Sequence, residues 1–483
     1  MSTPSLADYS SSTTPTVKAH EKKTIIDLLF IGTGPSGTLP EVPCLSGDSI
    51  HDRPSLGGVP ATMQDMLDHI SCPSCHDAID TTVPEGWKNK RANTSILLRL
   101  EEPDEERSDL LIDCGKTFRS AAEKWFPPNN VTKFDLLITH GHMDAMLGLD
   151  DLRQFTDRYQ FTLNVYCDKK TYEEIERIFP YLTDTSKAKG SGAVPSLEFR
   201  IFEEYVPFKV GGFTIQAVPG QSGSYRLELM AVEHGRSRNE TNNTTEPFMT
   251  SAFIINDKII YMPDVSGVPE RTMEVFRNTG RGPPVVYHNS EMERGFAESL
   301  KNRFSQFGSY LNSVLKSFCS NELVKSIGHE APLQRQKTVT SSPKLPSTTQ
   351  SLITIIDAIN PFGSHPSHFT LAQALDLHQA LESSMTYLVG MNHTRHEDWV
   401  NLCQSVLDPA ETNDGTRIPE VVLDFRNSLD EKQTEQLKAL RGMVNPAFDG
   451  EHIRISYDDD KTVGPVVEEI PLDPSFNQLV GRW

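Results

Sequence analysis

The 483 residues, 37% of them apolar, suffice for one large core with insertions or for two to three ordinary ones. With 46 basic and 66 acidic residues the net charge is -20, which argues against a general binder of the nucleic-acid backbone. No run approaches the ~18 apolar residues of a membrane-spanning helix, so no membrane partner is expected.

Residues 1–22 are polar and rich in Ser and Thr, and read as a disordered tail. They lack the apolar segment of a secretory signal, so a cytoplasmic or nuclear location is expected. In such a reducing compartment the seven cysteines favour thiols and metal ligands over a disulfide framework. Thr24 to Ile31 predicts a strand, followed by Gly32-Thr-Gly-Pro-Ser-Gly37, formally a dinucleotide fingerprint. That motif needs a helix to begin within it, and Pro35, Pro40 and Pro43 punctuate the continuation instead. After Cys44 and a loop-like insertion near 45–70 comes Cys72-Pro-Ser-Cys75. Two cysteines so spaced form a redox pair, half a zinc site or neither. No thioredoxin-like unit is apparent around them, and Cys44, Cys72 and Cys75 supply three of the four ligands a structural zinc needs.

Arg91 to Leu100 and Leu110 to Gly115 predict strands, and Thr117 to Trp125 an amphipathic helix stopped by Pro127-Pro128. Leu136-Leu137-Ile138 is a short apolar run of the buried-strand kind, directly followed by His140, His142 and Asp144. Imidazole and carboxylate at a strand end suit zinc, manganese or iron. A helix is expected from Leu147, then a strand over 161–166, a helix over 171–179 and a surface loop near 185–195. Strands follow over 213–218 and 227–232, the second ending at Glu233-His234-Gly235. Residues 236–247 read as a polar insertion, and 252–255 and 258–262 as a hairpin across Asn256-Asp257 that ends at Asp264. Residues 286–350 form a long insertion with a helix near 311–318 and a basic tract over 334–350. Strand 352–358 then leads to His365 and His368, helix 370–383 follows, and strand 386–389 runs into His393 and His396. A helix over 431–440, a closing strand and a tail over 476–483 complete one domain spanning 23–475.

Four strand ends therefore close on His140/His142/Asp144, His234, Asp264 and His393. In order and type the blocks Thr139-His-Gly-His-Met-Asp144, Val232-Glu-His-Gly235, Tyr261-Met-Pro-Asp264 and the last His resemble the metallo-β-lactamase superfamily of hydrolases. Leu29 to Gly37, Arg91 to Ser95, Ile112-Asp-Cys-Gly115, Gly148 to Arg153, Asp264-Val-Ser266 and His365-Pro-Ser-His368-Phe resemble more closely one of its subgroups. That subgroup holds the phosphodiesterase of the bacterial phosphonate (carbon–phosphorus lyase) pathway and its eukaryotic relatives.

The resemblance implies an α/β fold, the αββα sandwich of metallo-β-lactamases with loop insertions, and one or two catalytic ions, Zn2+ or Mn2+, at one edge. It assigns His140, His142 and His234 to the first ion, Asp144, Asp264 and His393 to the second, and Asp264 as the bridge. Ala145 stands where the family carries a further His, so the second site is one imidazole short and weaker. The subgroup also implies a structural zinc on Cys44, Cys72, Cys75 and His396. The implied reaction is attack of a metal-bound hydroxide on a small cyclic or linear phosphodiester, with no protein nucleophile. His368 takes the position of a catalytic His that binds a non-bridging oxygen or protonates the leaving alkoxide, with His365 the second choice. Two other readings stay open: a weakly or non-catalytic protein of this fold with a partner-binding role, and an RNA-processing hydrolase. The acidic balance makes nucleic acid an unlikely partner, and the basic tract at 334–344 alone favours it. A homodimer is compatible with this reading, but the sequence does not encode the oligomeric state.

Overall fold

Consecutive apolar residues such as Leu28-Leu-Phe-Ile31 and Ile353-Thr-Ile-Ile356 occur where a strand is covered on both faces, and here every central strand is. The computed structural model describes residues 23–46, 64, 67–101, 106–189, 193–222, 236–239, 244–279, 352–361, 365–405, 443–458 and 466–471. The strands are β1 Lys23–Gly32, β2 Ser95–Glu101, β3 Ser108–Ile112, β4 Asp135–Leu137, β5 Leu163–Cys167, β6 Leu197–Ile201, β7 Pro207–Val210 and β8 Phe213–Ser222. They continue with β9 Arg236–Asn239, β10 Thr244–Ile255, β11 Ile259–Met262, β12 Ile353–Asp357, β13 Met385–Val389, β14 Val444–Pro446, β15 His452–Asp458 and β16 Val466–Glu469. One sheet runs β16-β15-β1-β2-β3-β4-β5-β6, the other β14-β13-β12-β11-β10-β8-β7, with β9 pairing β10.

The two-residue period of a strand divides each side chain set between two layers. From β1, Ile26, Leu28 and Phe30 enter the core between the sheets, where they join Ile355, Tyr387 and Ile455. Leu29 and Ile31 point the other way, into an outer layer with Phe118, Trp125 and Leu149. On the far side Ile356 and Leu388 pack against helices Glu270–Asn278, Leu371–Leu381 and His396–Ser405. Three apolar layers separated by two sheets make the expected αββα sandwich.

Several local details differ from the sequence reading. Helix Pro73–Ile79 begins directly after Cys72, so the cysteine pair does sit at a helix start; Pro73 at the first helical position is the signal for it. Residues 236–245 are not wholly an irregular insertion, because β9 pairs with the start of β10. Strands β6 and β7 escape periodicity analysis because they lie at sheet edges and leave side chains such as Ile201 exposed. The hairpin across Asn256-Asp257 is as expected, and φ values of 49° and 52° there give the two left-handed residues of a type I′ turn. No dinucleotide loop forms at Gly32 and Gly34. A Cβ on Gly32 would lie 2.0 Å from the carbonyl oxygen of Asn93, and one on Gly34 2.6 Å from Arg91 Cβ, so these glycines allow close chain contact. The expected strand 227–232, helices 311–318 and 431–440 and the basic tract lie outside the described residues. Among the described residues no helix is long and apolar enough to cross a membrane.

One buried polar contact carries a pH prediction. His378 is buried, and its Nδ1 lies 2.8 Å from Thr386 Oγ1 on β13. Burial pulls its pKa down from 6.5 to about 4. Between those values the unfolded chain binds a proton that the fold refuses, so stability falls as pH drops through this window. The full loss is on the order of 3 kcal/mol. His378→Gln is expected to flatten this slope in thermal denaturation between pH 7 and 4; an unchanged slope would reject the assignment.

Candidate metal centre

The loop after β4 is set by a carboxylate on the neighbouring strand. Asp113, just past β3, is buried with φ at 66°, a costly conformation for a residue with a Cβ. It accepts hydrogen bonds from Thr139 N at 2.8 Å and from Thr139 Oγ1 at 3.0 and 2.8 Å. Thr139 Oγ1 is also 2.8 Å from His140 Nδ1. With the hydroxyl proton directed to Asp113, Nδ1–H of His140 donates to Thr139 and the ring's lone pair falls on Nε2. That Nε2 is buried without a hydrogen-bond partner, 3.9 Å from Asp144 Oδ1 and 3.6 Å from Asp264 Oδ2. An orphaned imidazole lone pair facing two carboxylate oxygens is the arrangement a divalent cation completes.

His142 packs edge-on to His140 with ring centroids 4.7 Å apart, and stacks on Phe248 at 4.3 Å and 10°. Ligand atoms of His140, His142 and Asp144 all lie within 4.8 Å of one another. Burial holds His140 below the usual histidine range; His142 keeps an exposed face, and partial desolvation together with the His140 ring lowers it too, so both favour the neutral form a metal requires. Ala145, where the resemblance expects a further His, lies in the apolar layer with Met146 and Leu149.

Opposite this loop, Asp264 follows β11 at φ 50°, and its carboxyl is pushed up to about 7, first by burial and then by Asp144 and Asp357. Asp357 ends β12, fully buried, with Oδ2 at 2.8 Å from His368 Nδ1. Its Oδ1 has no hydrogen-bond partner and lies against Gly390, where a Cβ would approach to 2.3 Å. His368 Nδ1 is also 3.2 Å from Asp264 Oδ1. Burial disfavours the imidazolium of His368, yet Asp357, Asp264 and Asp144 overcome it and raise the pKa to about 9. His365 lies beside it, ring centroids 4.9 Å apart. Asp357 went unread in the sequence. Its signal was an acidic residue closing an otherwise apolar strand, Ile353-Thr-Ile-Ile-Asp357.

His234 lies outside the described residues. His393 and His396 are placed otherwise than the resemblance implies. His393, assigned to the second catalytic ion, groups instead with Cys44 and Cys72, all ligand atoms within 4.8 Å. Its Nε2 is 3.3 Å from Glu41 Oε1. The cause is Arg91, whose buried guanidinium donates to the carbonyls of Asn392 and Thr394 at 2.5 and 2.9 Å and fixes the loop between them. Cys75 hydrogen-bonds with Cys44 and Cys72; burial and the two neighbouring thiols push its pKa up to about 12. Three crowded thiols and one imidazole are the donor set of a structural zinc. His396 is not in that group: its buried ring packs edge-on to Phe448 at 5.4 Å, and burial, Arg91 and Lys88 hold its pKa near 3.

Gly115 is what lets the loop of His140, His142 and Asp144 close. A Cβ there would lie 1.8 Å from the backbone oxygen of Asp144. Gly115→Ala is therefore expected to displace Asp144 and weaken divalent-cation binding about tenfold or more, as read by calorimetric titration. Wild-type affinity would show that the loop has another support.

Residues 109–280 match the model of the beta-lactamase superfamily domain. No curated protein sequence matches the chain. Among solved structures it is similar to a diphosphatase of the PhnP family, at 15% identity and TM-score 0.46, over 90% of this chain and 99% of that one. It is also similar to the metallo-beta-lactamase fold protein YhfI from Bacillus subtilis, at 12% identity and TM-score 0.39, over 89% and 98% of the two chains. The short form of human tRNase Z aligns at 12% identity and TM-score 0.35, over 76% and 92%.

Proposed function

From the beta-lactamase superfamily domain of residues 109–280, we propose that this protein is a metal-dependent hydrolase, a phosphodiesterase acting on a small cyclic or linear phosphodiester. The observation that carries the reading is the convergence of His140, His142, Asp144 and Asp264 around the unpartnered Nε2 of His140, with His368 beside them. These nitrogen and oxygen donors suit Zn2+ or Mn2+. A divalent cation held there supplies an acidified water and polarises a phosphoryl oxygen when bound.

The chain's own residues do the rest. Asp113 and Thr139 hold the His140 ring in one tautomer. Asp357 keeps His368 charged and oriented, and the imidazolium meets a non-bridging oxygen or gives its proton to the departing alkoxide. An imidazolium held by Asp357 beside a bound cation suits an anionic substrate better than a neutral one. Cys44, Cys72 and Cys75 with His393 are read as the structural zinc site that ties the N-terminal loop to the loop after β13.

A single catalytic ion is favoured by two observations: Ala145 lies in the apolar layer, and His393 is drawn to the cysteines. The testing experiment is metal analysis of the full chain together with turnover of a phosphodiester panel, bis(p-nitrophenyl) phosphate and 2′,3′-cyclic nucleotides included. Turnover that requires one or two ions beyond the structural zinc supports the reading. Stoichiometric metal without turnover of any diester favours a non-catalytic member of the fold.

A further inference from the structure

Outside the metal centre a cavity of about 730 Å³ opens beside helix Phe118–Trp125, within the range of small-molecule sites. Its walls are apolar: Leu39, Pro40, Ile79, Trp125, Pro127 and Pro128. Lys90, Arg91 and Lys124 also line it, and no residue assigned above to either candidate metal site does.

The charges of this cavity do not balance. Its two carboxylates are Asp449 and Glu123. Glu123 is held 3.0 Å from Arg119, which is not in the lining. Asp449 is buried and already accepts from Thr33 N and Oγ1 at 2.8 Å each and from Ala92 N at 2.7 Å. The Arg91 guanidinium spends its hydrogen bonds on main-chain carbonyls, which carry no compensating charge. Lys124 Nζ sits 4.9 Å from the Trp125 ring centroid. Burial disfavours both ammoniums; at Lys124 the Asp449 carboxylate offsets part of this and Lys90 adds to it. Cations desolvated against one another in a chain of net charge -20 are a costly arrangement that a bound anion relieves.

We propose that this cavity binds a small amphipathic anion, an aromatic or acyl body carrying one phosphate, sulfonate or carboxylate head, with the head at Lys90 and Lys124 and the body against Pro40, Ile79, Pro127 and Pro128. Pro40, Ile79, Pro127 and Pro128 leave apolar surface open to the cavity, whereas the Trp125 ring is itself buried in the core, and the two ammoniums select charge over shape. The site rests on no property of the catalytic reaction.

The probe is 1-naphthalenesulfonate, titrated by calorimetry into the full, metal-loaded chain, with 1-naphthyl methyl sulfone as its uncharged counterpart. Saturable one-to-one binding is expected, at least tenfold weaker for the sulfone and at least tenfold weaker in the Lys90→Met/Lys124→Met variant. Both substitutions replace a desolvated ammonium by an apolar chain, so the variant is expected to melt no lower than wild type. Asp264→Asn is expected to leave probe binding unchanged. Loss of binding in Asp264→Asn with retention in the lysine variant would place the probe at the metal centre and overturn the proposal. Equal affinity for the sulfone would reduce the cavity to an apolar surface. No saturable binding would mean that the chain itself fills or closes it.

Discussion

His368→Ala is expected to lower phosphodiester turnover by about 10²-fold or more while leaving the metal content at the wild-type level. The argument is geometric. Nδ1 of His368 is taken by Asp357 at 2.8 Å, which leaves Nε2 as the ring nitrogen free for the substrate. Asp357 stays beside the ring when a cation takes Asp144 and Asp264, so charge on the ring is still favoured and the group that meets a phosphoryl oxygen is a donor. Asp357→Asn is expected to follow the same direction with a smaller loss, because the ring stays but its charge and orientation are no longer held. The two variants separate the roles: a ligand would take metal with it when removed, whereas a proton donor would not. Metal loss in His368→Ala would reassign this residue to the cation, in keeping with the proximity of its nitrogen to Asp264. Unchanged turnover would remove it from the chemistry altogether.

Asp264→Asn is expected to have opposite effects with and without metal. In the metal-free protein Asp264 is a half-buried carboxyl crowded by Asp144 and Asp357. Removing its charge relieves that repulsion, so the metal-free variant is expected to melt higher than metal-free wild type. In the loaded protein the same carboxylate faces the open lone pair of His140 at 3.6 Å, where a cation gains most from it. The rise in melting temperature on adding Zn2+ or Mn2+ is therefore expected to shrink. Turnover is expected to fall by on the order of 10³-fold, the scale on which lost electrostatic stabilisation of a transition state acts. Differential scanning calorimetry with and without a chelator checks the sign. Destabilisation in both states would show that Asp264 holds the fold rather than the ion.

Much of this centre was legible in the sequence because its parts obey local rules. His140, His142 and Asp144 follow an apolar strand at fixed spacing, and the same logic found Asp264 after Tyr261-Met-Pro. What was not legible depends on partners far along the chain. Nothing near His393 announces that its ring meets Cys44 and Cys72; a guanidinium some three hundred residues earlier sets that loop. Asp113 was quoted only as part of a block, since its role depends on Thr139 lying one strand over. The core strands were found from runs of apolar residues, whereas β6, with exposed residues among half-buried ones and none buried, offered no period to count. The short helix after Cys72 had one local signal, Pro73 at its first position.

Strands β11 and β12 lie side by side in parallel register, Ile259 against Ile353, although residues 263–352 separate them. Helix Glu270–Asn278 already covers the sheet on that crossover. Closing a longer loop costs little, about 0.6 kcal/mol per doubling of length. Asp264 and Asp357 are therefore anchored by neighbouring strands, so the sheet register, rather than sequence proximity, sets the spacing of the two carboxylates.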